Sequence, residues 1–325
     1  MQIVYLSNRP DVLSGTLAAV ARNMDWIDDV LICAPGDEHS AFRAAINSEP
    51  NVAINLVADT DVAGIPGSSL TGMDHVTRNV TLRRGLIEGG LTNETFILSD
   101  DDYRPLTKIP VTDFIATDGR HCGYFFYDLA EWPGDTTPFD LAQIRTLAIL
   151  RLLDRPTLAF GSHMPQVMTV DKWVAAFAES DRVGGGTLVD EWSLYFNLSM
   201  ASDPDWFCEP QPFRTLAWPE WPHQWRHWVR PHPIRFENFY PQHEQPGGLF
   251  AGMTSPSTDA DAIERIARWR EAEVAIGELR FEKDWVDPWT HGKPYRRGAA
   301  AALRAAGKVR RYSGLGRPSG SDSPS

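Results

Sequence analysis

Cysteine and long apolar runs are scarce in this sequence of 325 residues, and each scarcity excludes a class of protein. The three cysteines, Cys33, Cys122 and Cys208, form no CxxC pair, so neither a disulfide framework nor a structural zinc site is predicted. No apolar run approaches the roughly 20 residues of a membrane span. The first residues, MQIVYLSNRPD, lack the basic and apolar segments of a signal peptide. We therefore expect a cytoplasmic protein.

Positive charge is also scarce. Lysine and arginine number 31 against 43 aspartates and glutamates, which gives a formal net charge of -12. Nucleic-acid-binding proteins normally present a basic surface, so we expect no nucleic-acid partner. The sequence also lacks the phosphate-binding loop GxxxxGKS or GxxxxGKT and a strand-linked GxGxxG. A ligand that carries phosphate would therefore need a metal ion or a local group of arginines.

Short apolar runs alternate with stretches of helical periodicity through the first hundred residues. The runs predict strands at 3–6, 30–33, 52–57 and 95–98, and the periodic stretches predict helices at 12–24, 37–48 and 76–87. Such alternation is typical of a parallel sheet with helices on both faces. We therefore predict an α/β fold of Rossmann type, with a mainly parallel sheet flanked by helices and an aromatic-rich C-terminal region.

Polar side chains follow several of these predicted strands at the point where each strand ends. Because ligands bind at the carboxyl ends of parallel strands, these residues are candidates for a nucleotide site. One helix adds polar residues at spacings of four, although a solvated helix face explains that pattern equally well. The candidates are Ser7, Asn8 and Arg9 after the first strand, Asp59 after the third, Asp100 and Asp101 after the fourth, and His75, Asn79 and Arg83 on the helix.

The stretch FILSDDDYRP, residues 96–105, joins an apolar strand to three consecutive aspartates. Adjacent carboxylates repel one another, and the repulsion is costly unless they are exposed or neutralised. A divalent cation would neutralise them, because Mg²⁺ and Mn²⁺ prefer hard oxygen ligands and bind both carboxylates and substrate phosphates. A surface turn is the alternative, since aspartate favours turns and Pro105 follows closely. The apolar strand that precedes the acids favours the metal site.

These features resemble the GT-A nucleotide-sugar glycosyltransferases, in which an Asp-any-Asp motif ends a strand of a Rossmann-like domain. The resemblance covers the arrangement of elements over roughly residues 1–200. It implies a glycosyltransferase, similar to hexosyltransferases, in which Asp100 and Asp102 hold Mn²⁺ or Mg²⁺ on the donor diphosphate and Asp101 faces the sugar or ribose. It also implies that Ser7, Arg9 and Asp59 lie near the nucleoside, and Asn79 or Arg83 near the diphosphate or donor sugar.

The chain also resembles, less closely, the Stealth-type sugar-phosphate transferases. Those proteins join a helix of LRxxL character to a strand that ends in adjacent aspartates, and they carry a later His-any-Pro segment. The matching stretches are TLRRGL at 81–86 and HMP at 163–165, whereas the N-terminal pattern of that family is not evident. Transfer of a sugar phosphate is therefore the alternative activity. A carbohydrate-binding protein without turnover is the alternative outside enzymes.

Two features after the aspartates are candidates for the acceptor side. His163 lies in a loop rich in glycine, serine and proline, where it could bind acceptor or phosphate, although a loop histidine is often structural. Asp190 and Glu191 stand at the start of a predicted helix, where an acid is also favoured as a cap. Inverting GT-A enzymes, which this region resembles, use a carboxylate at such a helix start as the base for the acceptor hydroxyl. The predicted base is Asp190 first and Glu191 second, with Trp192 and His163 as acceptor contacts.

The stretch WPEWPHQWRHWVRPHPIRFENFY, residues 218–240, combines tryptophans with histidines. Aromatic rings stack on sugar faces, and one of His223, His227 and His232 could complete the metal shell opposite the aspartates. The HExxH form is absent, since Gln224 follows His223. Aromatic packing of a proline-rich cap against the sheet explains the stretch equally well.

The resemblance to GT-A glycosyltransferases implies two halves of one domain, and a shift in composition from Lys293 onward marks a third part. Residues 1–105 form the predicted nucleotide-sugar-binding half of the domain, and residues 106–292 form the acceptor-binding half with a C-terminal cap, which includes a helix predicted at 259–280. Residues 293–325 form a basic tail with an end expected to be disordered, and its arginines could touch an anionic membrane surface. The expected partners are a nucleotide-diphosphate sugar donor and a glycan, lipid-linked or protein acceptor.

Overall fold

The computed structural model describes residues 1–46, 52–125, 127–131, 137–161, 163–212, 215–216, 235–253, 260–268 and 271. The chain divides into two compact units, Met1–Ile276 and Gly277–Ser325, and all of the described residues belong to the first. The predicted basic tail lies outside the described residues. So do the tryptophans at 218–228 and His223, His227 and His232.

Strands and helices alternate through the first hundred residues and mix less regularly afterwards. In the described residues the strands are β1 Gln2–Leu6, β2 Asp29–Ala34, β3 Ala53–Ala58, β4 Thr95–Asp100, β5 Tyr103–Pro105, β6 Tyr124–Phe125, β7 Tyr127–Asp128, β8 Leu158–Ala159, β9 Gln166–Thr169, β10 Gln211–Pro212, β11 Thr215–Leu216 and β12 Phe236–Asn238. The α-helices are α1 Pro10–Asn23, α2 His39–Ile46, α3 Asp59–Ala63, α4 Gly67–Thr71, α5 His75–Glu88, α6 Pro138–Leu152, α7 Val170–Asp181 and α8 Glu191–Ser202. Residues 260–268 are also helical.

The central sheet has five strands in the order β3-β2-β1-β4-β9 within the described part of the chain. The first four run parallel, and β9 pairs antiparallel with β4. Ile3, Val4, Phe96 and Ile97 are fully buried. Their continuous apolar runs are typical of a parallel sheet that is covered on both faces. The predicted fold class, a mainly parallel α/β sheet flanked by helices, is therefore confirmed.

Local signals determine where the helices begin. α1 has Pro10 at its first position, where the missing N–H costs no hydrogen bond. The side chain of Asp74 caps α5 by accepting from the backbone N–H of Thr77 over 2.9 Å. Asp190 caps α8 through Ser193 in the same way. In the part of the chain that is described, every helix is too short or too polar to cross a lipid bilayer.

Several elements differ from the prediction. The glycines, proline and serines at 64–69 predict a loop, but α4 begins within this stretch. The apolar run GYFFY at 123–127 predicts one strand, but it contains the two short strands β6 and β7. β9 was not predicted, because its four residues lie directly against α7 and form too short a run to stand out in the sequence. The helix predicted at 259–280 is present over its described residues 260–268.

A buried ion-pair network joins the last described residues to β5. Glu237 on β12 accepts from Arg104 Nε over 2.6 Å and from Arg265 Nε over 3.0 Å, and the side chains of all three are at most 1% exposed. Removal of one partner would leave a buried charge without compensation. The network therefore holds β12 against β5, and it fixes the path of the chain that follows β12.

Candidate functional site

The carboxyl ends of β1 to β4 open into one cavity of ≈ 190 Å³. Leu6 lies in register with both Cys33 and Asp100, so these strands end level with one another. The turns after the strands line the cavity together with one face of α5. All eight residues that were predicted to bind the donor lie around it, namely Ser7, Asn8, Arg9, Asp59, Asn79, Arg83, Asp100 and Asp101. Their roles toward a donor stay predictions.

The turn that carries the three aspartates is held from two sides. From α1, the hydroxyl of Thr16 donates to the backbone carbonyl of Asp101 over 2.6 Å. From the end of β12, the backbone N–H of Phe239 donates to the carbonyl of Asp102. Phe239 reaches this position because α1 has a glycine beneath it: a Cβ atom on Gly15 would lie 2.4 Å from Phe239 Cε1. The aspartates therefore project from a rigid turn.

Arg9 contacts two of the aspartates. Its Nε donates to Asp101 Oδ2 over 3.2 Å, and its Nη2 contacts both Asp101 Oδ1 and, over 3.1 Å, Asp102 Oδ2. The hydroxyl of Ser7 adds a hydrogen bond of 2.6 Å to Asp101. The ring of Tyr240 lies 5.6 Å from the Arg9 guanidinium carbon, and Tyr240 also hydrogen-bonds Asp102. Because both carboxylates have this cation beside them, their mutual repulsion is reduced.

Arg83 contacts the remaining aspartate and joins it to the start of α8. Its Nη2 donates to Asp100 Oδ1 over 2.6 Å, and its Nη1 donates to Glu191 Oε1. The Arg83 side chain is 5% exposed. Burial alone would raise the pKa of Asp100, but the charges of Arg83 and His163 outweigh burial and lower it to about 2. Asp100 is therefore ionised at neutral pH.

His163 completes the charged cluster. Its Nδ1 contacts Asp100 Oδ2, and its ring stacks between Tyr103 and Phe139 at centroid distances of 5.9 and 6.4 Å. Burial would lower the pKa of His163, but the carboxylate of Asp100 raises it above the usual 6.5. The backbone has φ 62°, a left-handed conformation that costs about 1–2 kcal/mol for a residue other than glycine. Strain of this kind persists where the surroundings fix a functional side chain.

The residues predicted for the acceptor side at the start of α8 are buried. Asp190 is 6% exposed, and its carboxylate accepts from Ser193 Oγ over 2.6 Å, Gln143 Nε2 over 2.9 Å and Ser193 N over 3.3 Å. Glu191 is ion-paired with Arg83, and the ring of Trp192 lies 5.5 Å from the Arg83 guanidinium carbon. Within the described residues, these side chains do not line the cavity. Glu191 and Trp192 contact Arg83, and Arg83 lines the cavity.

A divalent cation at this site would depend on the carboxylates of the aspartate turn after β4. Asp100 and Asp102 offer hard oxygens from one turn, and Mg²⁺ or Mn²⁺ is commonly held by one or two carboxylates together with substrate phosphates. Among the described residues, no group of three or more His, Cys, Asp or Glu side chains is arranged to hold a metal ion. A cation held by this pair would therefore need its remaining ligands from a diphosphate and water. Arg9, Arg83 and His163 already contact these carboxylates, so the cation would compete with them.

Sequence reasoning missed several residues of this site, of which three carry polar or sulfur groups. Arg78 and Cys33 line the cavity, and Tyr240 contacts Arg9 and Asp102. Arg78 precedes Asn79 on α5, so the helical face that identified Asn79 could have indicated it. No sequence signal connects Tyr240 with Asp102, because only the pairing of β12 with β5 brings them together.

Comparisons with known proteins identify no sequence relative. No family model matches the chain, and no curated protein matches it. It is similar in structure to the apo form of mouse xyloside xylosyltransferase 1 (8% identity, TM-score 0.40, 74% of this chain and 99% of that one). It is also similar to an active-site mutant of LgtC (11% identity, TM-score 0.43, 82% of this chain and 95% of that one). A third similar structure is the galactosyltransferase LgtC in complex with donor and acceptor sugar analogues (10% identity, TM-score 0.42, 83% of this chain and 96% of that one). At these identities and TM-scores the similarity carries no conclusion about activity.

Proposed function

We propose that this protein is a metal-dependent glycosyltransferase that moves a sugar from a nucleotide-diphosphate sugar to an acceptor hydroxyl, with inversion at the anomeric carbon. The observation that supports the proposal is the cavity at the carboxyl edge of the parallel sheet, where eight polar residues from distant parts of the chain converge. This edge is where open α/β sheets bind their ligands. The chemistry of those eight residues suits a sugar nucleotide.

The donor would occupy the cavity with its nucleoside toward Ser7, Asn8 and Asp59. Its diphosphate would lie toward the arginines, because guanidinium groups stabilise the negative charge that develops on the leaving group. Asn79 would contact the diphosphate or donor sugar. Asp100 and Asp102 would hold Mn²⁺ or Mg²⁺, which when bound supplies further charge neutralisation on the nucleoside diphosphate.

The acceptor would approach from the side of His163 and α8. His163 favours this role because its side chain is 31% exposed beside Asp100. Asp190 is the proposed base for the acceptor hydroxyl. To accept that proton, its carboxylate would give up the hydrogen bond that it now accepts from Ser193 Oγ. Glu191 is the weaker candidate, since its buried ion pair with Arg83 would have to break. Trp192 is 3% exposed and would act by packing on Arg83.

Transfer of a sugar phosphate is the second candidate. The segment at 163–165 lies against the strand that ends in aspartates, since His163 contacts Asp100 directly. A histidine beside the ionised carboxylate of Asp100 could serve phosphoryl chemistry as well as glycosyl transfer. The products distinguish the two reactions, because glycosyl transfer releases a nucleoside diphosphate and sugar-phosphate transfer releases a nucleoside monophosphate.

The proposal is tested with a panel of sugar nucleotides in the presence of Mn²⁺. Wild-type protein and Asp102→Ala are compared by thermal shift and by hydrolysis of each donor, with identification of the nucleotide that is released. We expect at least one donor to raise the Tm of the wild type and to be hydrolysed to a nucleoside diphosphate, and the variant to lose both responses. If no donor stabilises the wild type, or if the variant responds identically with the metal, the proposed donor site is wrong. Stabilisation by free sugars with no donor hydrolysis would indicate a carbohydrate-binding protein.

A further inference from the structure

The charged side chains that line the cavity are not equally compensated. Arg9 is paired with Asp101 and Asp102, and Arg83 is paired with Asp100 and Glu191. Two lining residues of opposite sign remain, Arg78 and Asp59. In the described part of the chain, no partner of opposite charge approaches either side chain within 4.0 Å.

Arg78 is held toward the cavity by the helix that carries it. Its backbone N–H donates to the carbonyl of Asp74, the residue that caps α5. The lining residues of α5 are Arg78, Asn79, Leu82 and Arg83, and their spacing places them on one face of the helix. The side chain of Arg78 is therefore attached to a fixed backbone, half-buried at the wall of the cavity.

The arginines that line the cavity differ in whether a carboxylate competes with an incoming anion for their N–H groups. The charges of Arg9 and Arg83 are opposed by carboxylates in direct contact, so an incoming phosphate must share or displace those partners. Arg78 has no such competitor among the described residues. A guanidinium without a competing carboxylate can offer two parallel N–H donors to a phosphate, which is its strongest form of anion recognition.

We propose that Arg78 binds the diphosphate of the nucleotide and selects for nucleotides over nucleosides. This inference rests on the proposed donor site and assigns a residue that the resemblance to glycosyltransferases did not indicate. Asp59, which has no cationic partner among the described residues, repels phosphate, and the donors that a nucleotide offers it are the hydroxyl and amino groups of the nucleoside, so it faces the nucleoside. The cavity thus has one uncompensated charge for each part of a nucleotide.

The test measures binding by calorimetry, without turnover. The probes are UDP, CDP, GDP and ADP with Mn²⁺, and the matching nucleosides uridine, cytidine, guanosine and adenosine. For the nucleotide that the wild type binds best, we expect Arg78→Gln to weaken the diphosphate at least about tenfold, because a charge-assisted hydrogen bond is lost, and to leave the nucleoside within about twofold. Asp59→Asn should weaken both ligands by a similar factor. Arg84→Gln is the matched control, because Arg84 lies on the same helix outside the cavity lining and should bind both ligands as the wild type does.

The outcomes separate this inference from the proposed function. If the wild type binds none of the four diphosphates, the donor site itself is wrong. If the wild type binds one and Arg78→Gln binds it equally well, the donor site stands and the role of Arg78 is refuted. Equal weakening of the diphosphate and the nucleoside by Arg78→Gln also refutes it, since the effect then does not involve phosphate. Thermal unfolding of each variant verifies that Arg78→Gln is folded, which we expect because Arg78 has no ion pair with any described residue.

Discussion

Arg83 donates from Nη2 to Asp100 Oδ1 over 2.6 Å, and with its other Nη it holds Glu191. This single side chain therefore links α5, β4 and α8 at the wall of the cavity. Only 5% of the Arg83 side chain is exposed. Two carboxylates depend on it for compensation, although His163 also contacts Asp100.

Arg83→Gln should be among the most destabilising single substitutions in the site. It leaves Glu191 without its cation and Asp100 with His163 alone, and breaking a buried ion pair from one side costs about 3–5 kcal/mol. Urea unfolding at neutral pH measures the loss. Arg84→Gln is the control, because its more exposed pairs with Glu88 and Asp181 should contribute less than about 1 kcal/mol. Equal unfolding free energies for the two variants would show that the Arg83 pairs do not stabilise the fold.

Arg9 offers a test of competition between protein cations and Mn²⁺. Its Nη2 contacts Asp102 Oδ2, an oxygen that the metal would need. Arg9→Gln removes that competitor, so we expect Mn²⁺ to bind the nucleotide-free protein up to about fivefold more tightly, which is about 1 kcal/mol for a partly exposed pair. Asp102→Asn should bind Mn²⁺ more weakly than the wild type. Calorimetric titration with Mn²⁺ decides, and weaker binding by Arg9→Gln would contradict the competition.

The sequence predicts the sheet and the positions of the polar residues at its edge, because both follow from local patterns. Apolar runs indicate β1 to β4, and the polarity of the residues after each run indicates Ser7, Asp59 and Asp100. Parallel strands bring their ends together, so the cavity follows from the fold class alone. This part of the site needs no knowledge of long-range contacts.

The pairing of the charges could not be predicted in this way. Arg83 and Glu191 are separated by 108 residues, and Ser7 and Asp101 by 94. The sequence shows three adjacent aspartates and favours their neutralisation by a cation, but it does not show that Arg9, Arg83 and His163 supply positive charge. Those partners depend on how helices pack on the sheet, which local periodicity does not determine.

The protonation of His163 should depend on Asp100. The raised pKa of His163 means that the folded state favours the imidazolium form. Its contribution to stability is therefore fully present below pH 6.5 and is lost as the pH rises through the folded-state pKa. In Asp100→Asn the carboxylate is gone and burial remains, so the pKa of His163 should fall. An NMR titration of the imidazole Cε1–H resonance measures the pKa, and His163→Gln identifies that resonance among nine histidines. A pKa that is the same in wild type and Asp100→Asn would contradict the contact.

Gly15 tests whether Phe239 holds the aspartate turn. Gly→Ala in a helix normally stabilises by about 1 kcal/mol, but here the new methyl group would lie 2.4 Å from Phe239 Cε1. Overpacking costs about 1–3 kcal/mol, so we expect Gly15→Ala to lower the unfolding free energy and to weaken Mn²⁺ binding through displacement of the turn. Phe239→Leu in the same chain should relieve the clash and recover part of the loss. A stabilising effect of Gly15→Ala alone would show that the ring moves aside freely.

Asp190→Asn separates the capping role of Asp190 from its proposed role as a base. Asparagine caps helices about as well as aspartate. Gln143 can reverse its amide and the hydroxyl of Ser193 can rotate to accept from the new NH₂ group, so the unfolding free energy should change by less than about 1 kcal/mol. Loss of a general base should lower kcat at least about 100-fold while the KM for the donor stays similar. Asp74→Asn makes the same change at the cap of α5 and should leave kcat unaltered.

If Asp190→Asn keeps near-normal activity, Asp190 is only a cap, and a fall in kcat in Glu191→Gln would then transfer the role to Glu191. Normal activity in both variants would indicate a retaining reaction, which does not require this base.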